Sequence, residues 1–181
     1  MIGSLLKEHT KNLHDLVEEK LMSNKIMDKS FTRSEYQQLL QHNYSFLLHF
    51  EEAVFAKISA ENAQKLNLDR RRKLPFLQKD LKDFEAQIPE NIIIKNEAEA
   101  LGILYVMEGA TLGGNVIAKN LAKNPEFAGI TFNFFGCYGA ETGLLWKNFR
   151  EVLESAYNGS NAEDFLEGAK RAYQFLLDLA D

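Results

Sequence analysis

The residues best suited to chemistry in this chain are four histidines, His9, His14, His42 and His49. A neutral imidazole is both a metal ligand and a proton carrier near neutral pH. Each of the four lies in a segment of helical hydrophobic period, so its surroundings follow from its place on a helical wheel. His42 and His49 fall opposite the apolar arc of their segment and read as a solvated face. His9 falls near the middle of the first segment's arc and reads as a core histidine whose ring is satisfied. His14 lies at the edge of that arc. Glu18 follows it at i+4, the spacing at which helical side chains meet. A carboxylate there accepts a hydrogen bond from one ring nitrogen, fixes the tautomer and leaves the other nitrogen for a metal. Lys7, Lys11, His14 and Glu18 together span about 60° of the wheel. Such a stripe suits a metal-bearing ligand that carries anionic groups of its own. It also describes an ordinary solvated face with i,i+4 ion pairs, and spacing alone favours that plainer reading.

The second unusual feature is Leu101-Gly-Ile-Leu-Tyr-Val-Met-Glu-Gly-Ala-Thr-Leu-Gly-Gly-Asn115. Glycine inside a helix costs about 1 kcal/mol relative to alanine. Ala98, Gly102, Gly109 and Gly113 nevertheless gather within about 60° of one another on the wheel. That face lacks bulk and exposes backbone, and the Gly113-Gly114 pair is a natural kink. Either another helix packs closely on this face or a flat ligand lies against it. The run lacks the glycine-lysine-hydroxyl ending of a phosphate loop.

Other motifs are missing. The chain has no Glu-x-x-His of a di-iron bundle, no His-Glu-x-x-His for zinc and no G-x-S-x-G nucleophile elbow. Cys137 is the single cysteine, which excludes an internal disulfide and multi-cysteine metal clusters. It sits in a glycine-flanked aromatic loop. A small packing residue is the plain reading there, and the nucleophile of a thiamin-salvage hydrolase the sharper one. The run Arg70-Arg71-Arg72-Lys73 reads as a solvated helix face; a dock for an acidic electron donor is its alternative.

The elements that must position these residues are helical throughout. Apolar spacing predicts a helix over about residues 4 to 22. Thr32-Arg33-Ser34-Glu35 is a capping box that opens a second. Residues 62 to 85 read as one or two shorter helices interrupted near Pro75, and the Ile-rich stretch 90 to 96 as a loop or helix entry. A helix from Asn96 to about Lys123 stops before Pro125, an aromatic loop spans 129 to 139, and residues 141 to 156 are helical. Ser160-Asn161-Ala162-Glu163 reads as a second capping box before a final helix carrying Phe165, Ala169, Tyr173 and Leu176. No strand pattern, repeat or linker interrupts this, so residues 1–181 read as one all-α domain.

Composition narrows the class further. A net charge of -5 argues against nucleic acid, whose partners are usually basic. The opening twenty residues acquire charge at once and do not read as a signal peptide. No run approaches the roughly 20 consecutive apolar residues of a membrane span. The expectation is a cytoplasmic protein without a membrane.

Taken together, the histidine stripe and the glycine-rich later helix resemble the heme oxygenase family. Leu6 to Glu18 is similar to the family's proximal helix, which makes His14 the axial ligand of heme iron and Glu18 its support. The resemblance places Lys7 and Lys11 at the heme propionates. Gly109-Ala-Thr-Leu-Gly113-Gly114 resembles the distal helix, whose glycines let backbone approach the heme face. Phe149-Arg150 resembles the propionate-binding arginine segment, and Ala169 to Tyr173 a terminal-helix stretch whose aromatic lines the pocket. The run Tyr105 to Gly114 is most similar to the bacterial subgroup associated with bacteriophytochromes.

The resemblance implies a multihelical bundle that converts heme to biliverdin, carbon monoxide and ferrous iron. Electrons would come from an external ferredoxin- or reductase-type donor, and a bacteriophytochrome is the implied acceptor of product. Many members carry an aspartate directly after the first distal glycine. This chain has Ala110 there, with the Thr111 hydroxyl next in line. That departure keeps open a second reading, a heme carrier or sensor without catalysis.

Overall fold

A computed structural model describes residues 1–180 apart from Met22, 82–83 and 85–91. The described residues form eight α-helices, three short 3-10 turns and no strand. The helices are α1 (Ile2–Lys20), α2 (Ser23–Met27), α3 (Arg33–Lys57), α4 (Ala60–Leu66), α5 (Leu74–Asp80), α6 (Glu97–Leu121), α7 (Thr142–Ala156) and α8 (Ala162–Leu179). The centre of the bundle is α6, and α8 packs against both α6 and α1.

Helix α1 buries a narrow stripe, Ile2, Leu6, Thr10 and Val17, against the bundle. The Thr10 hydroxyl is satisfied by donating to the Leu6 carbonyl at 2.7 Å. His9 is exposed, contrary to the core position expected for it. The reason is one of phase: Leu16 is 46% exposed, so the true apolar arc is narrower than a count of leucines suggests, and its centre runs through Thr10.

The first capping box forms as expected. Thr32 Oγ1 accepts from the Glu35 amide at 3.2 Å, and Glu35 Oε2 accepts from the Thr32 amide at 2.8 Å. Helix α3 then packs on α5, α6 and α8 and is buried around much of its circumference. His42 and His49 are consequently half-buried and do not form a solvated face. The His49 ring stacks on Phe175 of α8, with centroids 4.4 Å apart and planes 10° from parallel.

Asn67, in a left-handed conformation, ends α4. The interruption expected at Pro75 falls earlier, over 67–73. Pro75 instead sits in the first turn of α5, where its missing N–H costs nothing. Residues 90 and 91 lie outside the described residues, and 92–95 have no regular structure. The second capping box is not made. Asn161 occupies the cap position but accepts from the Asn158 amide, while the Ser160 hydroxyl donates to Asn158 Oδ1. An asparagine turn has taken the groups that would have closed the box.

Helix α6 runs through the Gly113-Gly114 pair without a break in its helical assignment. It is long and apolar enough to cross a membrane by length and composition. Its N-terminal half, however, is the core of this bundle. A Cβ at Gly102 would lie 2.1 Å from the Phe165 carbonyl oxygen, and one at Gly168 would lie 2.1 Å from that of Glu99. Reciprocal glycines thus bring the α6 and α8 backbones into contact.

Candidate functional site

The half-exposed edge of α1 presents Lys7, Lys11, His14 and Glu18 in line. The His14 side chain is 49% exposed. Its Nε2 lies 3.7 Å from Glu18 Oε1 and its Nδ1 lies 3.6 Å from Asp15 Oδ1. Both distances exceed a hydrogen bond, so neither nitrogen is committed. Asp15 is a neighbour that the i+4 rule does not single out. It also holds Lys11, whose ammonium hydrogen-bonds its carboxylate and lowers its pKa. Lys7 is exposed and has no ion partner among the described residues.

The imidazole is braced from behind. Tyr173 of α8 meets His14 edge-on, ring centroids 6.0 Å apart. Burial raises the Tyr173 pKa, with the Tyr105 and Glu18 charges adding to the effect, so the phenol stays protonated. Tyr105 of α6 packs at 5.8 Å from Trp146 of α7. The Arg150 guanidinium, exposed on α7, is close enough to Tyr105 to oppose the rise that burial causes there. His14 thus meets Tyr173, and Tyr173 is close enough to Tyr105, one helical turn before Gly109, for the two phenols to interact electrostatically.

From that point on, α6 is bare at its glycine positions. An added Cβ at Gly109 or at Gly113 would meet nothing within 4 Å among the described residues. The small-residue stripe thus divides in two. Its Ala98–Gly102 half is filled by α8, and its Gly109–Gly113 half is open. Gly114 belongs to neither: a Cβ there would lie 2.9 Å from the Phe135 ring, so it serves the packing of the aromatic loop. Ala110 is exposed beside Gly109. Thr111 is buried and donates its hydroxyl to the Met107 carbonyl at 3.2 Å, which turns it away from the open side. Two surface cavities, of about 490 Å³ beside Glu52 and Arg72 and about 540 Å³ beside Tyr36 and Lys79, lie elsewhere. At the candidate site His14, Ala110 and Gly113 are all exposed.

The basic run is not a solvated face. Arg71 and Lys73 are fully buried on Glu108, the residue before Gly109. Arg71 hydrogen-bonds Glu108 and also donates to the Leu66 and Leu145 carbonyls and to Asn148. Lys73 Nζ donates to Glu108 Oε1 at 2.5 Å, and the Tyr138 hydroxyl donates to the same oxygen at 2.9 Å. The Lys73 amide is bound by Glu51 at 2.6 Å. Burial opposes charge on both Glu108 and Lys73, but their mutual attraction, with Arg71, prevails. The Glu108 pKa is lowered and that of Lys73 raised. Arg70 and Arg72 pair outward with Glu141 and Glu52, and Arg72 also lies over Phe55. The sequence did hold a signal: Glu108, an acid directly after the apolar run Leu101–Met107, needs buried partners if it is buried with that run. Cys137 borders this cluster, and burial pushes its thiol up to about 11, which leaves it protonated and unreactive.

An accessible imidazole on α1 and a surface of α6 reduced to backbone at Gly109 and Gly113 are the two kinds of group that a flat, metal-bearing ligand would need. The exposed cations Lys7, Lys11 and Arg150 suit anionic groups on that ligand's edge. The chain is 29% identical over 143 residues to a heme oxygenase of Xanthomonas campestris pv. campestris (strain 8004), covering 76% of this chain and 84% of that protein. No solved structure matches it. The family model described as heme oxygenase matches residues 2–180. With that span matched, the chain belongs to the heme oxygenase family and is a heme-degrading oxidoreductase.

Proposed function

We propose that heme would be held between the His14 edge of α1 and the Gly109–Gly113 face of α6, with the His14 imidazole as the ligand of its iron. The observation that carries this reading is the divided glycine stripe. Where α8 needs the space, backbone sits 2.1 Å from the absent Cβ of Gly102; at Gly109 and Gly113 none of the described residues uses it. Heme supplies the iron at which dioxygen is activated and is itself the ring that is opened, giving biliverdin, carbon monoxide and ferrous iron.

The chain's own residues bind and orient. Because neither His14 nitrogen is committed, one would be available to the metal while Glu18 accepts a hydrogen bond from the other and fixes the tautomer. Lys7, Lys11 and Arg150 neutralise the propionates. The Lys11–Asp15 pair is exposed and is exchanged at little cost. Tyr173 limits the tilt of the imidazole. The Gly109 and Gly113 backbone limits which edge of the ring is approached, and Gly114 acts indirectly by seating Phe135. Because Ala110 offers no acid and Thr111 is turned inward, water against the Gly109 and Gly113 backbone delivers protons.

No flavin or nicotinamide motif is present in the sequence, so the donor is an external ferredoxin or reductase. Residues 1–181 act as one domain in the cytoplasm. The wording of Tyr105–Gly114 supports membership of the bacteriophytochrome-associated subgroup, with a bacteriophytochrome as acceptor of biliverdin. The test is hemin with ascorbate under oxygen. A biliverdin band and released carbon monoxide are expected. A Soret band that persists intact under these conditions supports instead the carrier or sensor reading, for which Ala110 is the motive.

A further inference from the structure

We infer that Glu108 is a positioning residue for the distal wall: clamped by Arg71, Lys73 and Tyr138, it fixes the rotation of α6 and so the edge of the heme that the Gly109–Gly113 face presents for cleavage. The inference rests on the reading of that face as the heme-contacting wall.

Packing holds the two halves of α6 differently. Around Gly102, contact with the α8 backbone leaves no freedom. Around Gly109 and Gly113 the glycines offer no side chain to grip, and Val116 on the same face is 53% exposed and not held. Rotation there must be fixed from the opposite side, where Glu108 is the buried polar handle. Its three clamps come from separate segments: the 3-10 turn Leu68–Arg71, the residue that caps α5, and the aromatic loop. Arg71 extends the clamp to α7 through Leu145 and Asn148. Together these bonds fix direction as well as distance.

The lever is short and sensitive. With Cα atoms about 2.3 Å from the helix axis, a rotation of about 20° moves the Gly109 backbone by about 0.8 Å. Displacements near 1 Å are enough to misplace reacting groups. Apolar replacements often match the stability of a buried ion cluster. Its directional bonds, not its energy, are therefore what this cluster contributes.

Lys73→Met removes one clamp and leaves the Glu108–Arg71 pair balanced; Glu108→Gln removes the charge that both cations share. Two readouts are taken on the full chain. In heme-free protein, amide hydrogen exchange over residues 105–116 is expected to speed up at least tenfold, with α1 unchanged. In hemin-loaded protein given ascorbate and oxygen, the share of minor biliverdin isomers is expected to rise at least threefold. A merely structural role lowers yield and leaves the isomer ratio alone. Folded Lys73→Met with wild-type exchange and wild-type isomer ratio overturns the inference, whether or not Glu108→Gln folds. Failure of the heme reading itself shows separately, as wild-type protein that forms no imidazole-ligated hemin complex.

Discussion

Replacing Gly109 and Gly113 by alanine separates what the bare face costs the fold from what it does for a ligand. Neither new methyl meets an atom of the described residues within 4 Å. The fold therefore gains only the helix propensity, about 1 kcal/mol per site. For a chain of this length each kcal/mol corresponds to about 2–4 °C in Tm, so the double variant melts roughly 4–8 °C higher by differential scanning calorimetry without heme. Against a docked heme the same methyls are overpacking, at about 1–3 kcal/mol. Hemin affinity, read by Soret titration, then falls about 5- to 140-fold. Stability and binding thus move in opposite directions. A double variant that is stabilised and binds hemin as tightly as wild type refutes the assignment of this face. A destabilised one shows that some part of the chain occupies it.

The other half of the stripe responds oppositely. Gly102→Ala forces a methyl to 2.1 Å from the Phe165 carbonyl oxygen, so unfolding free energy drops by about 3 kcal/mol in denaturant titration; an unchanged midpoint contradicts the α6–α8 contact. His42 and His49 have pKa values lowered on folding, chiefly by burial. The unfolded chain then binds these protons more tightly, so stability is whole above the ordinary value of 6.5 and is lost as pH falls through it. His49→Phe keeps the stack on Phe175 and flattens the pH dependence between 7.5 and 5.5; an unaltered slope removes His49 as a cause. Cys137→Ala leaves biliverdin formation intact, and the wild-type thiol reacts slowly with a disulfide reagent at pH 8. Activity abolished by that substitution revives the nucleophile reading.

Local signals carried much of this structure. Thr32 and Glu35 specify a capping box through their own spacing, and the 3.6-residue period of α1, α6 and α8 places those helices to within a few residues. What depended on distant partners was not legible. The wheel groups Gly102 with Gly109, because nothing local says that the Phe165 backbone meets one and not the other. His9 and His49 were misplaced for related reasons: the exposure of Leu16 narrows one arc, and packing on three neighbours widens the other. The burial of Arg71 and Lys73 needs Glu108, more than 30 residues along the chain. Tyr105 and Trp146 join the site only because α6 and α7 pack together.

The most direct measurement is a hemin titration of wild type, His14→Ala and His9→Ala, followed by absorbance and by electron paramagnetic resonance of the ferric complex. His9→Ala should keep the axial-imidazole spectrum, and His14→Ala should lose it and regain it with added imidazole. An unchanged imidazole spectrum in His14→Ala, or its loss in His9→Ala, would contradict the assignment of the iron ligand.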